Sequence, residues 1–402
     1  MKAKVIAIVA LSGVTLAVPC GYGGSPESAN TAQIAAKLVG QSANIKEKEV
    51  VFVTGGTANL DLLDAIAIEV QKAGALPVVT VDTESRIRRT YEEVPAQKDA
   101  LIAQTELKLV DVMTANINID FVENPGYLDG VPPGRMAARS QAFEPVDQAA
   151  LKRNIKSVNL GNGLYPTAAL ATRFGISKDE LARIFWGGVN VDYTALQTTG
   201  DAVSKAFGAG KEVRLTNPNG TDIKMRIEAR PNFVSDGVIS DADVRRGGPA
   251  CLVWLPAGEV YLAPVPGTAE GKVVIDRSYI QDDEILGLTL TFKAGKMTAM
   301  TAKSGLEALK PHYDAAGPGK DEFAFIDVGI NPNVQAPANS KFQSYVQAGM
   351  VTVGIGGNTW AGGTNQVPFG HHGFLPGSTL AVDGKVLIEK GALAPEIRSA
   401  SR

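Results

Sequence analysis

Three histidines, His312, His371 and His372, are all the imidazole this 402-residue chain has, so a metal centre in it must lean on carboxylates. His371 and His372 are adjacent. On an extended strand their side chains point to opposite faces, and only one would reach a given ion. In a loop, which Gly370 and Gly373 permit, both could converge. The two cysteines, Cys20 and Cys251, exclude a disulfide framework and any cysteine-rich zinc module. Cys251 precedes an apolar run and reads as a small buried hydrophobe. His312, in KPHYDAAG, lies at a helix end where a surface ring is unremarkable. The turn Thr54-Gly55-Gly56-Thr57 lacks both the lysine of GxxxxGK[ST] and the spacing of GxGxxG, which makes it a plain turn and not a phosphate loop. Arg245 and Arg246 could meet an anionic substrate, but a solvated pair is the simpler reading. Glu228 and Asp236 read as surface and turn residues.

Lysine plus arginine total 39 and aspartate plus glutamate 42, a formal charge of −3. No basic excess exists to displace counterions from a phosphate backbone, which argues against a nucleic-acid partner. Forty-three glycines imply many turns and close backbone approaches. The chain opens MKAK, runs apolar from Val5 to Val18, and continues PCGYGGSPES. A basic start, a short apolar stretch and a polar tether fit a secretory signal. The run is shorter than the roughly 20 residues a membrane span needs. Cys20 followed by GYGGSPES fits a lipoprotein start with a lipid anchor, although Pro19 replaces the usual small residue. The rival reading is a buried first strand. Export to the periplasm or the extracellular space is therefore expected, with residues 1–30 as signal and tether.

Thr31 to Asn44 has helical spacing, KEVVFVTGG is an apolar strand, Leu60 to Lys72 an amphipathic helix with Asn59 as its cap, and ALPVVTVD a second strand. This βαβ pattern prefers a parallel sheet covered on both faces. Gln97 to Thr105 reads as helix, LKLVDVM and INIDFV as strands, Asn124 to Arg135 as loop and Lys156 to Leu160 as strand. Pro166 opens a helix, Ser177-Lys178-Asp179-Glu180 is a capping box, and a further helix spans Tyr193 to Phe207. From Gly208 the texture changes to short β-type runs with glycine turns. EVRLTNPNGTDIKMRIEA reads as a hairpin with Asn-Gly at its tip. One helix is expected near Gly305 to Ala315. The expected organisation is an α/β domain of mainly parallel sheet over 31–208, then a β-rich α+β domain over 209–402.

The second half carries a resemblance. GTDIKMRIEARP, WLPAGEVYLAPVPGTAEGKVVID, LTFKAGKM, FAFIDVGINPN, GMVTVGIGGNTWAGGTN and TLAVDGKVLIEKG resemble, in order, the thermophilic-type metallo-aminopeptidases, the family of aminopeptidase T, aminopeptidase S and PepS. The resemblance implies an aminopeptidase T-like fold, a homodimer, and metal-dependent removal of an N-terminal residue from a peptide. Two divalent ions, zinc or cobalt, would bind the amine, polarise the carbonyl and acidify a water. Glu259 falls on the first acidic ligand. Asp327 falls on the second, normally a glutamate, and acts as ligand or base. Thr352 takes the place of a strand histidine. The late His-x-Asp pair becomes FGHHGF: one alignment puts Gly370 and His372 on the pair, and a shift by one puts His371 and Gly373 there. The metal candidates are Glu259, Asp327, His371 and His372, a set better suited to one ion than to two. Asn358, Trp360 and Asn365 fall in a glycine-rich stretch that the resemblance places beside the substrate.

Three functions follow. The first is an exported metal-dependent hydrolase that releases an N-terminal residue or cleaves a small amide. The second is a mononuclear iron enzyme related to 2,5-dihydroxypyridine dioxygenase. The third is a catalytically inactive relative that binds a peptide or small ligand.

Overall fold

The computed structural model describes residues 26–399. The apolar run Val5–Val18 and Cys20, where a signal and a lipid anchor are expected, lie outside the described residues. Among the described residues no helix is long and apolar enough to cross a membrane.

Helix α1 (Pro26–Ala36) passes into a π-helical turn (Lys37–Ser42). The first βαβ unit follows as β1 (Val50–Gly56), α2 (Leu60–Lys72) and β2 (Leu76–Asp82). In α2 the buried positions Leu62, Leu63, Ile66 and Val70 form the predicted stripe. The glycine turn after β1 is closed by an aromatic ring, because a Cβ on Gly56 would lie 2.5 Å from the Cβ of Phe121. Helices α3 (Glu84–Glu93) and α4 (Gln97–Val112) precede β3 (Ala115–Ile119). LKLVDVM is therefore the end of a helix and not a strand. Ala103 and Val110 are buried against Phe52 of β1, with Leu107 packed beside them, so the apolar spacing is helical across the whole segment. Helix α5 (Pro133–Lys152) was unread in the sequence, and β4 (Lys156–Leu160) follows it. Helices α6 (Ala168–Phe174), α7 (Lys178–Val189) and α8 (Tyr193–Ala209) complete the first half. Ser177 caps α7 through its Oγ, which accepts from the Glu180 N–H at 3.1 Å.

The second half begins with the predicted hairpin, β5 (Glu212–Asn217) and β6 (Thr221–Arg226), turning at Asn219-Gly220. Next come β7 (Asn232–Ser235), α9 (Asp241–Arg246), β8 (Leu252–Leu255) and β9 (Glu259–Leu262). Three long strands follow, β10 (Glu270–Ile280), β11 (Asp283–Lys293) and β12 (Lys296–Thr301), then α10 (Leu306–Ala315). The chain closes with β13 (Phe323–Gly329), β14 (Val351–Gly356), β15 (Gly370–Phe374), β16 (Thr379–Val382), β17 (Lys385–Glu389), β18 (Ala392–Leu393) and α11 (Pro395–Ser399).

Three sheets result. A five-stranded parallel sheet runs β2-β1-β3-β4-β8. An antiparallel eight-stranded sheet runs β12-β11-β10-β6-β5-β16-β17-β18, and an antiparallel five-stranded sheet runs β15-β14-β13-β9-β7. Strand β8 lies beyond residue 208, yet it pairs in parallel with β4. Its four residues, LVWL, are all buried, the uninterrupted apolar run expected of a strand covered on both faces. The two halves share this sheet, and one continuous apolar core crosses from the first to the second.

The α4–α5 layer carries an acid cluster. Burial, reinforced by the neighbouring carboxylates, raises Asp147 to about 8. Burial raises Glu106 to about 7 against the pull of Arg139. Folded-state values above the unfolded ones mean that the stabilisation is complete below about pH 4 and is lost as pH climbs through 7 to 8. The chain should accordingly melt lower at pH 8 than at pH 5. Asp147→Asn should recover on the order of 2 kcal/mol at pH 8, after a discount for partial solvation, and almost nothing at pH 4. Equal gains at both pH values in thermal melts would refute the assignment.

Candidate functional site

The site is built on the five-stranded antiparallel sheet. Every residue of β9, β13 and β14 is buried, so this sheet is covered on both faces. Two carboxylates are buried there all the same: Glu259 is 0% and Asp327 1% exposed. Buried acids of this kind demand a specific account.

Register decides who shares a face. Asp327 lies opposite Tyr261 on one side and Thr352 on the other, and Glu259 lies opposite Gly329. Thr352 in turn lies opposite Phe374, and Gly354 opposite His372. Cross-strand partners and residues two apart share a face. Glu259, Tyr261, Asp327, Thr352, His372 and Phe374 therefore share one face. His371, opposite Ile355, belongs to the other.

The parallel sheet braces Glu259. Its Oε1 accepts from Nδ2 of Asn162 at 2.6 Å, and the same Nδ2 donates to the Pro256 carbonyl at 3.0 Å. Asn162 stands in the turn after β4 with φ of +49°, in the left-handed region that asparagine tolerates. Its own N–H donates to Oδ1 of Asn159, whose Nδ2 donates to Oδ1 of Asp120. The turn needs glycine at 161, since a Cβ there would sit 2.1 Å from Oδ2 of Asp120. The carboxyl ends of β3, β4 and β8 thus meet the start of β9, the edge of a parallel sheet where ligands bind. Asn162 was not singled out in the sequence. The available signal was Gly161-Asn162-Gly163 directly after a strand.

Two tyrosines sense both acids. Burial first, then the charges of Glu259 and Asp327, push the phenols of Tyr261 and Tyr345 well above their ordinary range. Both remain protonated donors. Trp360 packs at ring-centroid distances of 4.8 Å from Phe325 and 5.3 Å from Tyr261, with Trp254 at 6.0 Å, and forms an aromatic wall beside Asp327.

The two imidazoles lie on opposite faces of the sheet. The Nε2 of His371 lies 3.1 Å from Oγ of Ser278 on β10. Burial lowers its pKa to about 3, so the ring is neutral. His372 lies against Tyr345 and Phe374, with centroids 5.0 and 5.4 Å away. It is two strands over and two residues along from Asp327, about 12 Å by sheet spacings, and Glu259 is one strand further in the opposite direction. Among the described residues no three His, Cys, Asp or Glu side chains group closely enough to hold a metal ion. Of the expected set, Glu259, Asp327 and His372 share one face of the sheet, and His371 faces away from them.

The other candidates divide. Asn358 Oδ1 accepts from the Asn365 N–H and its Nδ2 donates to the Ala324 carbonyl. Asn365 Nδ2 donates to the carbonyls of Gly319 and Gly356, and its Oδ1 accepts from Val367 N–H. Both side chains are spent on backbone groups of their own loop and its neighbours. Cys251 is buried, with its thiol pushed up to about 11 by burial and then by Asp243, consistent with an inert packing residue. Arg246 stacks 4.5 Å over Phe233 and donates to the Asn232 carbonyl. It is a structural cation.

Residues 27–317, well over half the chain, match the family of thermophilic metalloproteases, M29. The chain belongs to that family. Glu259 lies within the matched span, whereas Asp327, Thr352 and the histidine pair lie beyond it. Among solved structures the fold is similar to wild-type AmpT from Thermus thermophilus, with a TM-score of 0.69 and 16% identity over 91% of this chain and 99% of that one. It is also similar to 2,5-dihydroxypyridine dioxygenase from Pseudomonas putida KT2440, with a TM-score of 0.58 and 13% identity over 93% and 99%. Comparison with curated proteins finds no match. The parallel α/β first half and β-rich second half agree with the aminopeptidase T-like architecture expected from the sequence.

Membership in a metalloprotease family implies a divalent metal. This face carries the carboxylates of Glu259 and Asp327, with His372 further along it. Carboxylate oxygens suit a divalent cation, so the acid pair fits the metal that the family implies.

Proposed function

We propose that this chain is a metal-dependent hydrolase that takes the amino end of a peptide, or a small amide, on the Glu259–Asp327 face. The observation that carries the reading is the pair of buried carboxylates on one sheet face, one of them fixed by Asn162. A divalent ion held by Glu259 and Asp327 would polarise the scissile carbonyl and lower the pKa of a water at the site. Asn162 orients Glu259 in advance, which limits the reorganisation needed when a substrate arrives. Asp327, one methylene shorter than the family's glutamate, is the proton acceptor for the attacking water. Tyr261 donates its hydroxyl to the Pro249 carbonyl, and Tyr345 keeps its proton and offers a hydroxyl toward the developing negative charge. Trp360, packed edge-on to Phe325 and tilted against Tyr261, receives the apolar side chain of the residue to be released.

Zinc and cobalt, which the family resemblance implies, and manganese and magnesium, which the oxygen donors favour, are each to be supplied to chelator-treated full chain. Release of amine from amino-acid p-nitroanilides, with blocked N-acetyl analogues left intact, is the expected result. No release with any of the four ions would leave a ligand-binding relative in place of a catalyst.

A further inference from the structure

We infer, resting on the reading of Glu259 as a working carboxylate, that Asp120 and Asn159 are its positioning residues and act through Asn162 along a chain of hydrogen bonds. Every link is direct. Asp120 Oδ1 accepts from Asn159 Nδ2 at 2.8 Å, Asn159 Oδ1 accepts from the Asn162 N–H at 2.9 Å, and Asn162 Nδ2 donates to Glu259 Oε1 at 2.6 Å. The chain runs from the residue after β3, through the end of β4, to the first residue of β9. Asp120 does more than accept one bond. Its Oδ2 faces the Gly163 N–H at 3.4 Å, and its carboxylate lies against Gly161, where any Cβ would collide with it. The two oxygens therefore span the turn 159–163 from both ends. That turn holds Asn162 at a φ of +49°, a conformation that a residue other than glycine keeps when its surroundings fix it. The Asn159 amide is the joint. Its two ends have nearly the same shape and opposite hydrogen-bonding character. The carboxylate on one side and the N–H on the other set which end faces Asn162. A flipped amide would bring oxygen to oxygen at Asp120 and N–H to N–H at Asn162, so the orientation that serves Glu259 is held from its far end.

The test exchanges the two partners in full-length protein at neutral pH. In Asn159→Asp two carboxylates oppose each other, and the link should break. In Asp120→Asn/Asn159→Asp the amide at position 120 donates to the carboxylate at position 159 and still accepts from Gly163, so the chain re-forms with its polarity reversed. With asparagine side-chain nitrogens isotopically labelled, nuclear magnetic resonance follows the Asn162 amide, identified by its loss in Asn162→Ala, with neither metal nor substrate present. Asn159→Asp should displace that signal and speed its hydrogen exchange at least about tenfold, and the exchanged pair should return both to parent values. At saturating metal, kcat for an amino-acid p-nitroanilide should fall about 10- to 100-fold in Asn159→Asp with KM within about twofold, and recover in the exchanged pair. In an Asn162→Ala background Asn159→Asp should change kcat by less than about twofold, because the last link is already gone, whereas a merely structural role would leave the two effects additive. Should Asn159→Asp fail to fold, Asp120→Asn carries the same test, since one amide oxygen cannot serve both Asn159 and Gly163 and the Asn162 signal must move. An Asn162 signal unmoved by these changes overturns the inference. So does an exchanged pair no better than the single variant, or a kcat effect undiminished in the Asn162→Ala background. A parent chain that hydrolyses no amide would remove the hydrolase reading and leave the signal series to decide this inference; hydrolysis with an Asn162 signal indifferent to position 159 would do the reverse.

Discussion

Glu259→Gln and Asp327→Asn should each lower the rate of amide hydrolysis by about 10³-fold while the stripped protein melts no lower than the parent. Each exchange keeps the shape of the side chain and removes its charge. Asn162 can still donate to the carbonyl oxygen of a glutamine at its present 2.6 Å partner position, so the brace survives. Burying a neutral amide costs less than burying a carboxylate, which is why stability should not fall. The effects are large because both acids lie in a region closed to water, Glu259 at 0% and Asp327 at 1% exposure, where a lost charge is poorly replaced by solvent. Asn162→Ala should fall between these and the parent, at about 10- to 100-fold, because it removes orientation and leaves both charges. Steady-state rates with an amino-acid p-nitroanilide, read beside thermal melts, check all three. Undiminished rates in both charge-removed proteins would mean that the reaction occurs elsewhere on the molecule.

The alternating strands and helices of the first half were legible because burial on both faces of a parallel sheet writes continuous apolar runs. KEVVFVTGG and ALPVVTVD became β1 and β2 with the expected helix between them. The misread segment, LKLVDVM, shows the limit of short windows. Leucine and valine suit either element, and only the link back to Ala103 fixes the 3.6-residue period. Strand β8 was visible as a strand, but its membership in the parallel sheet was not, since pairing with β4 across almost a hundred residues leaves no local trace.

At the site, Glu259 and Asp327 stood out through their flanking motifs. Strand alternation correctly required that at most one of His371 and His372 face a given side. Which one does so depends on the register of β15 against β14, set by the intervening loop that Asn358 and Asn365 tie down. Asn162 escaped notice for a different reason. Its importance lies in a contact 97 positions away, which exists only where the two sheets meet.

Asp99→Ala should be among the most destabilising single changes in the chain, at about 3–5 kcal/mol. Asp99 is 1% exposed on α4 and is paired with two guanidinium groups of α5. Arg135 binds it and also donates to the Val94 carbonyl, and Arg139 reaches its Oδ1 at 2.6 Å. Both cations lie over the Tyr91 ring of α3, at 5.5 and 5.9 Å, and Arg139 also covers Phe143 at 4.5 Å. Three helices are thus joined through one carboxylate. Deleting it leaves the side chains of Arg135 and Arg139, 13% and 23% exposed, as like charges with no anion between them. The loss should appear as a lower denaturant midpoint with an unchanged slope, since compactness is not at issue. Replacing Asp99 and both arginines together by apolar residues of matching size should restore most of it, because the burden is the unpaired charge and not missing attraction. A loss under about 1 kcal/mol for Asp99→Ala would mean that the two guanidinium groups swing into water, and that the α3–α4–α5 layer is held by its apolar contacts alone.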